Sequence, residues 1–353
     1  MAATTTENNE PHRVLLVSVP RTASNLLLKV LNIPNQPNVL TSPKGGYFFY
    51  DAFVAAGRDN RLDKPLDQWT AEVKSETKAI VQRCFDSLEE YSSRARAENK
   101  IMFTKEHAFW LVNPCFFTNN DGAETPEDHR QFQVSMPERY GSSQTFSANN
   151  KTIMSDEYLR TWRIAFIIRH PALAWPSMYR AMQKMSKAGF LDEDGMRGAS
   201  FTNMSMEWTR KLFDWCLEQP DEPVTPLVID ANDVIHNPGA VVKFCEKAGL
   251  DTSFMQFEWN GTENKSENWA AESADAGNPE GEAFHKTAAS IMLSTLEAST
   301  GVVKDKAPAL VDIDAEVAKW RVEFGDEVAE IIEKATRDSM PDYEYLKANR
   351  VTV

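Results

Sequence analysis

Long apolar runs are missing from this chain, and none approaches the 18 consecutive apolar residues of a membrane-spanning helix. The polar start, Met1 to Pro11, carries no apolar signal core, so the expected location is cytoplasmic. Basic charge is scarce as well. The 38 Lys and Arg stand against 52 Asp and Glu, a net charge of −14. That balance argues against general nucleic-acid binding and against adhesion to an anionic membrane. Cysteine is limited to Cys84, Cys115, Cys216 and Cys245, too few for a disulfide framework, and no CxxC pair suggests zinc. The six histidines are scattered without HExxH-like spacing, so no metal is expected. A GxxxxGK[ST] loop is also absent, which removes the main support for an ordinary nucleoside triphosphatase or kinase.

What the chain has is an alternation of buried strands and helices. Arg13 to Ser18 is a short apolar run ending in a turn, followed by a helical stretch from Ala23 to Leu31. Further strands are read at Lys100–Thr104, Arg163–Ile168 and Pro226–Asp230. Helical periodicity covers 64–98, Phe201–Leu217, Gly239–Ala248, Phe284–Thr300 and Ala315–Asp338. Strands separated by helices predict an α/β fold of three layers, with a mainly parallel central sheet flanked by helices. One domain is expected over 13–348, behind a disordered leader at 1–12. Polar segments near 117–150 and 260–282 are read as lids or insertions.

Three short segments carry chemistry. The first, Val19-Pro20-Arg21-Thr22-Ala23-Ser24-Asn25, lies between a strand and its helix. It places small residues, two hydroxyls, an amide and one cation at a helix N-terminus, where unpaired N–H groups favour an anion. In isolation an ordinary N-capped helix would look the same. In the second, Arg169 ends a strand and Ser177 follows eight residues later inside the next helix. A charged fork and a hydroxyl can converge there on one anion, although a surface Arg and an unrelated helix Ser would read alike. In the third, Lys105 and His107 stand at the end of a strand, on the side of a parallel sheet where ligands bind. A lone His is more often structural. Imidazole nevertheless suits a general base, because its ordinary pKa of about 6.5 lies near neutrality.

Together these segments resemble the sulfotransferases that use 3′-phosphoadenosine 5′-phosphosulfate (PAPS), a branch of the P-loop fold. The resemblance implies that Arg21 contacts the bridging oxygen and the transferring sulfuryl group. Thr22, Ala23, Ser24 and Asn25 would cradle the 5′-phosphate, and Arg169 and Ser177 would hold the 3′-phosphate. Lys105 would stabilise the sulfuryl and leaving-phosphate oxygens, and His107 would remove the acceptor proton. Ala23 stands where glycine is usual, so a negative φ is expected at that position. Leu26 replaces the usual adenine-stacking Trp, and no C-terminal Arg-Lys-Gly loop is visible, with Lys265 and Lys286 as substitutes. Phe109 and Trp110 follow the base directly and are the acceptor-pocket candidates. The expected partner is a small, partly apolar alcohol or phenol. The alternative is the same fold without sulfuryl transfer, binding or converting a small molecule of a biosynthetic pathway.

Overall fold

The computed structural model describes residues 13–42, 45–57, 61, 64–118, 126–219, 225–259 and 279–353. The leader read at 1–12, and 260–278 of the second polar segment, lie outside the described residues.

Five strands form one sheet: β1 Arg13–Ser18, β2 Val39–Thr41, β3 Ile101–His107, β4 Trp162–Ile168 and β5 Leu227–Asp230. All four pairings are parallel, in the order β2-β3-β1-β4-β5. Every residue of β1 and β3 is buried, as expected for parallel strands covered on both faces. Side chains alternate between the faces. Val14 and Leu16 join a core with the helices Ser24–Val30 and Pro238–Lys247. Leu15 and Val17 join a larger core containing Trp175, Trp215 and Trp320, under Ala71–Ala97, Pro171–Lys187 and Asp326–Ala348. Three layers result.

The register places Ser18 opposite His107, and Val17 opposite Phe166. The loops after β1, β3 and β4 therefore leave the sheet on one edge, where parallel sheets gather ligands. β2 was not expected: three residues between turn-rich flanks carry too little pattern to read. The C-terminal helix expected over 315–338 is two helices, Ile313–Phe324 and Asp326–Ala348, separated at Gly325 with φ +86°. Residues 126–150 are mostly irregular, yet they are anchored. Phe132 and Val134 are buried, and Asn150 donates to Asp156 at 2.8 Å. Among the described residues no helix is long and apolar enough to cross a membrane.

Candidate active site

The loop from Val19 to Ala23 turns sharply. Arg21 has φ +70° and Ala23 φ +64°, so the negative φ expected at Ala23 is corrected. A Cβ in the left-handed region costs roughly 1–2 kcal/mol per residue, and such strain gathers at functional sites. The strain is sustained by what surrounds it. Thr22 is fully buried, and its hydroxyl donates to the Val19 carbonyl at 2.7 Å, pinning the turn from inside. Ala23 then caps the helix Ser24–Val30 with no side-chain hydrogen bond. The resulting strand, tight turn and helix N-terminus is the geometry of an anion-binding loop.

Around this loop the structure collects the other predicted residues. Arg21 Nε donates to Ser177 Oγ at 3.1 Å, and Arg21 Nη1 donates to the Met292 carbonyl at 2.8 Å. Arg169 Nη1 donates to the Arg21 carbonyl at 2.9 Å, bracing the strained turn. Lys105 Nζ donates to Asn25 Oδ1 and lies 4.4 Å from the centre of the Tyr47 ring. Burial pulls the Arg21 guanidinium below its ordinary pKa, against a smaller upward pull from Tyr47. Burial first, and then the neighbouring Arg21 charge, bring Arg169 down to about 10, while Asp230 pulls it back up. Burial lowers Lys105 to about 7, with Glu106 opposing. Two guanidinium groups and the Lys105 amine thus share one desolvated corner, and among the described residues no carboxylate forms an ion pair with Arg21. An anion placed there would relieve all three.

His107 sits at the rim of the same corner. Its Nδ1 lies 2.9 Å from Ser18 Oγ, and that hydroxyl donates to the Glu106 carbonyl at 3.2 Å. This contact fixes the ring with Nδ1 toward Ser18 and Nε2 on the opposite edge. Burial, and then the Lys105 charge, lower the imidazole to about 3, against a pull upward from the Ser18 backbone. The ring is therefore neutral at physiological pH. Trp110 packs edge-on at 4.5 Å between centroids, and Tyr47 at 5.0 Å. Glu106 points to the other face of β3, where it accepts from the Phe48 amide at 2.5 Å. Burial lifts that carboxyl to about 8 despite the Phe48 and Phe49 amides and Lys105. It serves the turn before the helix Tyr50–Gly57 and does not face the His107 side.

The two aromatic candidates divide. Phe109 lines a narrow cavity of about 10 Å³ beside His107, together with Ser18, Pro20, Asn203, Ser205 and Trp208. Trp110 instead stacks on Phe53 at 5.1 Å and packs against the His107 ring. His170 caps the helix Pro171–Lys187 by accepting from the Ala172 amide at 3.2 Å, and that helix runs unbroken through Pro176. Asp230 caps Ala231–His236 and accepts from the Tyr343 hydroxyl at 2.7 Å, a structural role. Lys286 is exposed, and Lys265 lies outside the described residues.

Ser18, Tyr47 and the 202–208 connection were missed. Ser18 looked like the last residue of a strand. Tyr47 sat in an aromatic run that reads as core, although the preceding Gly45-Gly46 pair marks a turn. Gly46 has φ +125°, and a Cβ there would meet the Lys105 carbonyl oxygen at 2.2 Å. Only glycine allows Tyr47 so close to Lys105, whose carbonyl accepts from the Tyr47 amide at 2.8 Å.

A parallel sheet ends here in a strained loop with clustered basic side chains and a neutral imidazole, an arrangement suited to holding an anion. The relatives make the class specific. A protein of Metarhizium rileyi, "Sulfotransferase ppzF", is 32% identical over 356 residues, covering 97% of each chain. Its counterpart in Metarhizium majus is 33% identical over 358 residues, again covering 97% of each chain. The chain belongs to the sulfotransferase family, and its class of activity is that of a transferase. No protein-family model matches it. Solved sulfotransferase domains from the curacin biosynthetic pathway and from the Synechococcus PCC 7002 olefin synthase are each 14% identical, with TM-scores of 0.33. They cover 89% and 91% of this chain and 97% of their own, a likeness too distant to bear on the chemistry.

Proposed function

We propose that this sulfotransferase takes its sulfuryl group from PAPS and delivers it to a hydroxyl of a small, partly apolar acceptor. The observation that carries the reading is the convergence of Arg21, Ser177 and Arg169 around the strained loop, with His107 at its rim. The amides of Thr22 to Asn25 and the helix N-terminus would receive the 5′-phosphate. Arg169 and Ser177 would receive the 3′-phosphate. Donor binding would exchange the Arg21–Ser177 hydrogen bond for phosphate contacts, freeing each residue for its own end of the donor. The chemistry is an in-line displacement. The acceptor oxygen forms a new bond to sulfur as His107 Nε2 takes its proton. The bond from sulfur to the bridging oxygen breaks, and adenosine 3′,5′-bisphosphate leaves with that electron pair. Arg21 and Lys105 offset charge on the sulfuryl and leaving oxygens, preorganised as in phosphoryl transfer.

The test is calorimetric titration with adenosine 3′,5′-bisphosphate, beside ADP. The bisphosphate should bind more tightly than ADP, and Arg169→Ala should remove most of that preference. No binding by folded protein, or equal weakening of both ligands in Arg169→Ala, would contradict the donor assignment.

A further inference from the structure

The cavity beside His107 is closed on its far side by the connection between the helices Glu193–Phe201 and Glu207–Glu218. Asn203 in this connection is 3% exposed. Its Nδ2 donates to the Ala199 carbonyl at 3.0 Å, which settles the orientation of the carboxamide, since only the nitrogen can face a carbonyl oxygen. The other corner, Oδ1, is buried and receives no hydrogen bond. Native proteins leave few buried acceptors unmet, because desolvation without a partner is costly. The bond to Ala199 uses only the donor half of the amide, so ending the preceding helix does not account for the oxygen. Nor is Asn203-Met204-Ser205 a glycosylation acceptor, since a buried amide nitrogen is out of reach.

We infer that Asn203 Oδ1 accepts a hydrogen bond from the acceptor substrate, and that preferred acceptors carry a second N–H or O–H beside the reacting hydroxyl. The inference rests on the proposed role of His107. A hydroxyl has one proton. Donated to His107 Nε2, it cannot also serve Asn203, so a different group of the substrate must do so. Asn203 is then a specificity residue, selecting among hydroxyl compounds by what adjoins the reacting oxygen. A site built around a polar contact disfavours the analogue that lacks it, because its own polar group is left unpaired.

Catechol and phenol differ by that one adjoining hydroxyl and serve as probes. Their binding is measured calorimetrically, with and without saturating adenosine 3′,5′-bisphosphate, in wild type, Asn203→Leu and Asn203→Ala, each checked for a cooperative melt. Wild type should prefer catechol by about five- to tenfold, the value of one neutral hydrogen bond. Both variants should bring the two probes to within about twofold. Equal affinities in wild type, binding of neither probe, or an unchanged ratio in a folded variant would overturn the inference. If the bisphosphate binds without any catechol preference, the Asn203 contact alone fails. A catechol preference abolished by the substitutions in a protein that ignores the bisphosphate upholds the contact and sinks the donor assignment.

Discussion

Two arginines stand at opposite ends of β1, both largely removed from water, and their surroundings could hardly differ more. Arg13 enters the strand with its guanidinium against Glu89 at 3.0 Å, Ser92 at 3.1 Å and Tyr140 at 3.0 Å. Its plane lies 4.3 Å from the Trp162 ring centre and 4.8 Å from that of Tyr158. Glu89 is in turn held by the Tyr158 hydroxyl at 2.6 Å and by Arg139. Arg21, just beyond the other end, meets a serine, a backbone carbonyl and a second arginine whose own charge it opposes. One cation completes a closed network, while the other sits in a corner that favours an arriving anion. The same strand thus has one end whose cation is fully compensated and another whose cation is left with neutral partners, as the proposed donor site requires.

The contrast can be broken most sharply at the reactive end. His107→Ala and Arg21→Ala should each lower sulfuryl transfer about a thousandfold, in keeping with the loss of a base or a charge clamp. Only Arg21→Ala should also weaken bisphosphate binding. Full activity in either variant, measured in steady state, would remove that residue from the mechanism.

Next in size is the structural end. Arg13→Met leaves the buried Glu89 with only the partly exposed Arg139 as its cation and should cost about 2–3 kcal/mol in denaturant unfolding. Arg21→Met should cost little or raise stability, since it removes a desolvated charge. Equal losses at both positions would abolish the distinction.

Acidification gives a smaller effect. His107 takes up protons at about 6.5 when unfolded but only at about 3 when folded. The unfolded chain therefore binds more protons between these values. The contribution of neutral His107 is full above the unfolded value and is lost as pH falls toward the folded one. Between pH 7 and pH 5, wild type should lose about 2 kcal/mol more than His107→Gln. Parallel losses in thermal melts at the two pH values would show that His107 is not buried in its neutral form.

The smallest expected change concerns the loop itself. Ala23→Gly should raise stability by about 0.5–1 kcal/mol, as relief of left-handed strain outweighs the added freedom of the unfolded chain. A loss would mean that the Ala23 methyl contributes packing that the backbone angles do not reveal.

Much of the sheet was legible because its signals are local. Arg13–Ser18 and Ile164–Ile168 are apolar runs followed by turns, and burial on both faces explains them without knowledge of their neighbours. The short strand Val39–Thr41 was not legible, since only pairing with β3 makes it a strand. The split at Gly325 was missed for a similar reason. Helical periodicity on either side joined smoothly, and the turn appears only once Ile313–Phe324 and Asp326–Ala348 pack side by side. At the site, Arg21, Lys105, His107 and Arg169 could be selected because each follows or ends a strand, and Ser177 by its offset from Arg169 inside the next helix. Ser18, Tyr47 and Asn203 could not, since a serine in a strand, a tyrosine among aromatics and an asparagine between helices have ordinary explanations.

The sequence by itself determined the parallel βα order and which side chains would emerge on the ligand-binding edge, because two-face burial and turn chemistry act over a few neighbouring residues. Tertiary structure alone decided the chemical state of those side chains. Ser18 and His107 are 89 residues apart, and Arg21 and Ser177 are 156 apart. A proton's place on an imidazole ring, or the charge left uncompensated on a guanidinium, depends on contacts within 3–4 Å that only the folded chain brings together.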